Sequence, residues 1–173
     1  MGAQLIAPLK SERGTTLIET AFATALLLIV TVGLLTMSAL ATMYTENHGH
    51  LEARTAEYAQ DKMEQLLAIA YTDSTSNTIV FPATIAGGTG LAVGGSQNTA
   101  APVNGYVDWL AYDGTLLGGG TAAPAGWFYE RVWEVTNPSA GIKQITVVAT
   151  IKSAVANAQI PKATVVAMKA SVF

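Results

Sequence analysis

The chain has no cysteine. Disulfide bridges, zinc–thiolate centres and thiol nucleophiles are therefore excluded. Export is not, because disulfides are an option outside the cytosol and not a requirement. Charge is scarce: Asp, Glu, Lys and Arg make up 12 % of the 173 residues, against about 25 % in an ordinary soluble domain. The scarcity is local, since no charged residue occurs from Thr20 to Thr45. Proline is missing from Thr15 to Ala70, so nothing there forces a helix to break. Motifs of hydrolytic chemistry are missing too. There is no Gly-x-Ser-x-Gly and no His-Glu-x-x-His, and the glycine-rich stretch Gly88 to Gly94 is followed by no Lys-Ser/Thr. The Lys and Arg residues form no basic stripe, which argues against a nucleic-acid surface. The reading is of a protein that is not an enzyme and holds no metal or cofactor.

What is present begins with an apolar run, Ala21 to Ala41. About 20 such residues span a bilayer as a helix. Gly33 and several Thr and Ser residues suit helix–helix packing in lipid. Lys10 and Arg13 precede the run, which keeps the leader cytoplasmic and carries the rest across. A single carboxylate, Glu19, stands at the mouth of the run, where a charge is expensive in lipid. A secretory signal peptide cut after Ala39-Leu40-Ala41 is the competing reading, with an anchored or secreted binding domain behind it. Three features oppose it. The run exceeds the roughly 7–15 residues of a secretory apolar region, Glu19 interrupts the path from the basic residues to the apolar core, and the helical pattern continues past Ala41.

The helix is predicted over 15–70. In its second half Leu51, Ala56, Ala59, Met63, Leu66, Leu67 and Ala70 recur at three- and four-residue steps, and Glu52, Arg54, Glu57, Asp61, Lys62 and Glu64 supply polar faces. Three strands are predicted after it: Trp127–Thr136, Ile142–Lys152 and Lys162–Ala170. Trp127, Tyr129, Trp133 and Val135 share one face, interrupted by Arg131; Ile145, Val147, Ala149 and Ile151 share another. A one-sided antiparallel sheet over the helix stripe follows, giving an α+β fold. The intervening Gly-, Ala- and Thr-rich connection, about 74–126, belongs to the same domain, 74–173, which also includes the second half of the helix. It offers short strand candidates at Thr78–Phe81 and Tyr106–Tyr112 and a hairpin turn at Asp113-Gly114.

The leader ending in Arg13-Gly14-Thr15-Thr16-Leu17-Ile18-Glu19, followed by the apolar helix, resembles the class III signal of type IV prepilins. The plan of spine helix, variable connection and antiparallel sheet is similar to that of type IV pilins and type II secretion pseudopilins. Tyr129 to Thr136 and Ile142 to Val147 look most like V-type minor pilins and I-type pseudopilins. The resemblance implies removal of residues 1–14 by prepilin peptidase between Gly14 and Thr15, and N-methylation at Thr15. It implies residence in the inner membrane with the C-terminal domain periplasmic, followed by assembly into a pilus or pseudopilus. Partners would be other pilins or pseudopilins, the inner-membrane assembly platform and membrane lipid. Glu19 would then pair with the N-terminal ammonium of an adjoining subunit. Two departures stand out: Thr15 occupies the place of the usual phenylalanine or methionine, and Thr36 that of a helix-kinking proline.

Other residues carry weaker signals. His48 and His50 lie two apart and so point to different sides of a helix, which favours a solvated face over a metal site. Trp127, Phe128, Tyr129 and Trp133 suit a sheet core better than a sugar platform. Asp108 and Asp113 form too sparse a set for calcium.

Overall fold

The computed structural model describes residues 16–152 and 160–171. One helix, α1 (Leu17–Ala68), is followed by six strands: β1 (Gly94–Gly95), β2 (Val107–Leu110), β3 (Leu116–Gly119), β4 (Tyr129–Ser139), β5 (Ile142–Ile151) and β6 (Lys162–Ala170). The sheet runs β3-β2-β4-β5-β6, with β1 beside the far part of β4. Every pairing is antiparallel. The α+β arrangement expected from the sequence is thus present, with three principal strands close to their predicted bounds.

The chain divides into two compact units at Thr45/Glu46. In the first, the described part of α1 makes no buried surface: every residue from Thr16 to Thr45 is exposed. In the second, α1 buries Thr55, Tyr58, Ala59, Lys62, Met63 and Leu66. This stripe has the helical period but differs from the predicted one. Leu67 and Ala70 are exposed, while Lys62, expected on a polar face, is fully buried. Ala59, Met63 and Leu66 meet Trp133, Val135, Ile145, Val147 and Ala149 of the sheet, and Leu91 of the connection closes the cluster.

The sheet is covered on both faces over part of its area, which the one-sided expectation missed. Val107, Trp109, Val132 and Val148 form a second cluster, with Trp127 packed on it. Trp127 precedes β4 and so does not join Tyr129 and Trp133 as predicted. Its ring meets that of Trp109 edge-on at 4.8 Å.

The connection after α1 is built from turns and local bonds. Thr78–Phe81 forms no strand; the pairing there is one bridge, Asn77 to Thr84. The Asp73 carboxylate accepts the amides of Thr75 and Ser76, both at 3.0 Å. The second candidate shortens to β2, and Asp113-Gly114 does lie in the β2–β3 turn, with Gly114 at φ +89°. Gly95 is demanded by space as well as conformation: a Cβ there would lie 2.1 Å from the Trp133 carbonyl oxygen.

Candidate assembly segment and the buried ionic core

The first unit presents a continuous apolar helix surface. It is the helix, among the described residues, that is long and apolar enough to cross a bilayer. Its threonine hydroxyls from Thr20 to Thr45 do not need water. Thr20, Thr24, Thr31, Thr36, Thr42 and Thr45 each donate to a carbonyl three or four residues earlier. A satisfied hydroxyl avoids most of the cost of an apolar environment. Thr24, Thr31, Ser38 and Thr45 recur at seven-residue steps, which places small polar groups along one side of the helix.

Glu19 is exposed in the first turn. Its amide donates to the Thr16 hydroxyl at 3.4 Å and to the Thr16 carbonyl at 2.9 Å. Thr16 is therefore the N-cap, and Thr16-Leu17-Ile18-Glu19 has the spacing of a capping box. The carboxylate also lies at the positive end of the helix dipole. Gly14 and Thr15 lie outside the described residues. The structure thus places one of the three proposed site residues, whose backbone amide closes the cap made by Thr16.

The second unit contains an ionic cluster in its interior. Lys62 and Asp108 are both 0 % exposed, with Nζ 2.7 Å from Oδ2. Arg131 clasps the same carboxylate, Nε to Oδ1 at 2.7 Å and Nη2 to Oδ2 at 3.0 Å. Its Nη1 donates to Asp61 at 3.1 Å. Lys62 also donates to the Thr78 carbonyl and lies over the Trp133 ring, 4.2 Å from its centre. The geometry follows from register. Asp108 pairs with Arg131 across β2 and β4, and both face the stripe of α1 that carries Lys62. Burial pushes the Asp108 carboxyl up, but Lys62 and Arg131 outweigh it and hold it below its ordinary value. Burial dominates at Lys62 and lowers it. Asp108 is thus committed to two cations and is not a calcium ligand.

Two further lysines close the end of α1. No basic residue occurs in its last turn, and the sheet supplies the cations instead. Lys169 of β6 donates to the Leu67 carbonyl at 2.6 Å and to that of Ile69. Lys143 of β5 donates to the carbonyls of Tyr71 and Leu91, each at 2.7 Å. The bonds to Leu67, Ile69 and Tyr71 satisfy carbonyls at and just past the helix end, and the one to Leu91 ties in the connection. Lys62 was read as an ordinary polar position. The available signal was spacing: Lys62 lies three residues after Ala59 and four before Leu66, inside the apolar stripe.

Glu130 is the exception among the buried charges. It is 4 % exposed, and its Oε1 has no hydrogen-bond partner. It lies between Trp109 and Thr150 in the sheet register. Their polar groups are engaged elsewhere, the indole with the Gly120 carbonyl and the hydroxyl with that of Pro161. Burial pushes the Glu130 carboxyl up to about 7.

The remaining candidates resolve simply. Among the described residues no cluster of His, Asp and Glu could hold a metal ion, and Glu46 makes no ion pair with His50. The aromatics do not form one platform: Trp133 and Tyr129 are buried. Phe128 meets Tyr112 edge-on at 5.0 Å, and these two line a groove of about 420 Å³ with Asn47, His50 and Leu51. Comparison with protein-family models, curated proteins and solved structures finds no match for this chain.

Proposed function

We propose that the chain is a structural subunit, a minor pilin or minor pseudopilin, that prepilin peptidase matures between Gly14 and Thr15. It is anchored in the inner membrane with its N-terminus cytoplasmic, and it assembles through α1 into a type IV pilus or a type II secretion pseudopilus. The observation that supports this best is the helix segment from Thr16 to Asn47. It is wholly exposed, free of charge beyond Glu19 until Glu46, and its threonine hydroxyls are met internally. Such a surface is stable in lipid or against other helices and unstable in water. Partners on this reading are other pilins or pseudopilins and the assembly platform.

Glu19 has two candidate roles, pairing with a neighbouring ammonium and capping its own helix, and they separate by substitution. Glu19→Gln keeps a capping box, because glutamine serves at that position, but removes the charge. Glu19→Ala removes both. If charge pairing sets the axial register, both variants are cleaved and both fail to enter filaments. Normal incorporation of Glu19→Gln would refute the pairing and leave the cap. The class itself is tested by N-terminal sequencing and intact mass with and without the peptidase. A start at Thr15 only in its presence supports the reading. A start at Thr42, or an uncut chain in both strains, would replace it with an anchored or exported domain.

A further inference from the structure

The sheet has two edges, and they are treated differently. At one, β3 is four residues long, its register with β2 shifts between Trp109 and Leu110, and Gly118 and Gly120 take positive φ. Shortness, a bulge and glycine are the usual devices that stop a sheet edge from recruiting another strand. At the other, β6 has nine residues and no Gly or Pro, and it pairs with β5 without interruption from Thr150↔Lys162 to Ile142↔Ala170.

The Ser171 amide donates to Gly141, which sets the alternation of the antiparallel ladder. Residues 163, 165, 167 and 169 therefore direct their N–H and C=O groups to β5. Lys162, Thr164, Val166, Met168 and Ala170 direct theirs outward, and all five are exposed. Among the described residues no backbone bond crosses this edge. The side chains of the same five residues lie on the face away from α1. There Val166 is 54 % and Met168 65 % exposed.

Charge completes the pattern. No Asp or Glu follows Glu134, whereas Lys143, Lys152, Lys162 and Lys169 do. The last 39 residues thus carry +4 and the preceding 134 carry −7, within a total of −3. None of the four lysines has a carboxylate in salt-bridge distance among the described residues. Lys143 and Lys169 turn inward to the end of α1, and Lys152 lies over the Trp127 ring, 5.4 Å from its centre, which leaves Lys162 exposed on β6 itself.

We propose that β6 is a docking edge that takes an extended acidic segment of a different protein as a further strand. Main-chain bonds to the five outward residues supply affinity. Alternate apolar side chains of the guest cover Val166 and Met168, and a carboxylate at its end meets Lys162. A second copy of β6 is the wrong guest, because it brings only lysines. The proposal rests on the sheet edge alone and is independent of the filament reading.

The test is amide exchange by NMR on the full chain in detergent micelles. The probe is a nine-residue peptide alternating valine and threonine, with glutamate at both ends and blocked termini. Free protein should show fast exchange at Thr164, Val166, Met168 and Ala170 and slow exchange at Ala163, Val165, Ala167 and Lys169. Filling nine-tenths of the edge with peptide should slow the fast set by about tenfold and leave the slow set unchanged. Val166→Pro, which removes an outward amide only, should abolish the effect while the rest of the spectrum stays folded. Absence of protection at millimolar peptide overturns the proposal. So does equal binding of the same peptide N-methylated at alternate residues, which would assign the contact to side chains. Equal binding of a lysine-ended peptide overturns the acidic specificity. Protection that rises with protein concentration without peptide would show self-pairing instead.

Discussion

The two units of this chain invert one another. From Thr16 to Thr45 the helix exposes leucine, isoleucine, valine and phenylalanine and buries nothing. From Glu46 onward the interior holds a lysine, an aspartate and an arginine in contact, while Ile85 and Met168 stand outside. Both arrangements look wrong by the ordinary rule of apolar inside and polar outside, yet each has a physical resolution. The buried charges find all their partners within the fold, so their desolvation is offset by short, mutually oriented bonds. The exposed apolar helix has no cover among the described residues, and lipid or another helix would supply one. A buried charge is a question the molecule answers itself; an exposed apolar helix is addressed to its surroundings.

The contrast can be broken most severely at Asp108. Asp108→Ala should cost the second unit about 3–5 kcal/mol, because the buried Lys62 and Arg131 lose the carboxylate they share. Denaturant unfolding of the full chain in micelles, followed by Trp fluorescence, reads this loss. Replacing the cluster together, Lys62→Met with Asp108→Leu and Arg131→Met, should recover most of it; no recovery would mean that the charges do more than satisfy one another. The cluster also sets an acid limit. Asp108 is held below its ordinary 3.8, so its contribution is complete above that pH and is lost as pH falls through the lower folded value.

Glu130 sharpens the comparison from the other side, as a buried charge without a partner. Its carboxyl moves from 4.5 to about 7 on folding, so the folded state holds the proton more firmly. Stability is full below pH 4.5, declines between 4.5 and about 7, and levels off above. Glu130→Gln should remove that decline and gain up to about 3 kcal/mol above pH 7. A pH-independent difference between the two proteins would refute the assignment.

Smaller effects follow at the helix end and on the helix surface. Lys143→Met and Lys169→Met should each lose about 1–2 kcal/mol through unmet carbonyls, with faster amide exchange confined to the turn after Ala68. Thr31→Val, on the exposed helix, should change the unfolding of the second unit by less than about 0.5 kcal/mol. A larger shift would show that the first unit contributes to the second unit's stability.

Much of the architecture was legible because it depends on period. The apolar run, the three long strands and their order follow from periods of 3.6 and 2 and from the turn residues between them. Lys62 was misread because a lysine inside an apolar stripe is ordinarily a solvated neighbour. Its burial depends on Asp108, 46 residues away, and no local pattern couples the two. Arg131 did show itself as an interruption of an apolar face, without revealing what it served. Thr78–Phe81 failed as a strand for a similar reason: its hydrophobicity fitted a strand, but its carbonyl at Thr78 is spent on Lys62 and its pairing stops at one bridge. Glu19 was singled out as the odd charge in an apolar run, whereas its capping geometry emerged only with Thr16 in place.

The lysines at the end of α1 have a mechanical consequence. Tension in this part of the helix passes to the sheet through lateral ties at two heights: Lys62 to Asp108 of β2 and Asp61 to Arg131 of β4, and, where the helix ends, Tyr71 to Lys143 of β5 and Leu67 to Lys169 of β6. The load is divided among four neighbouring strands and is not delivered to one. To pull the helix free, these ties must be sheared together instead of peeled in sequence, and parallel rupture of several short bonds demands far more force than their one-by-one failure.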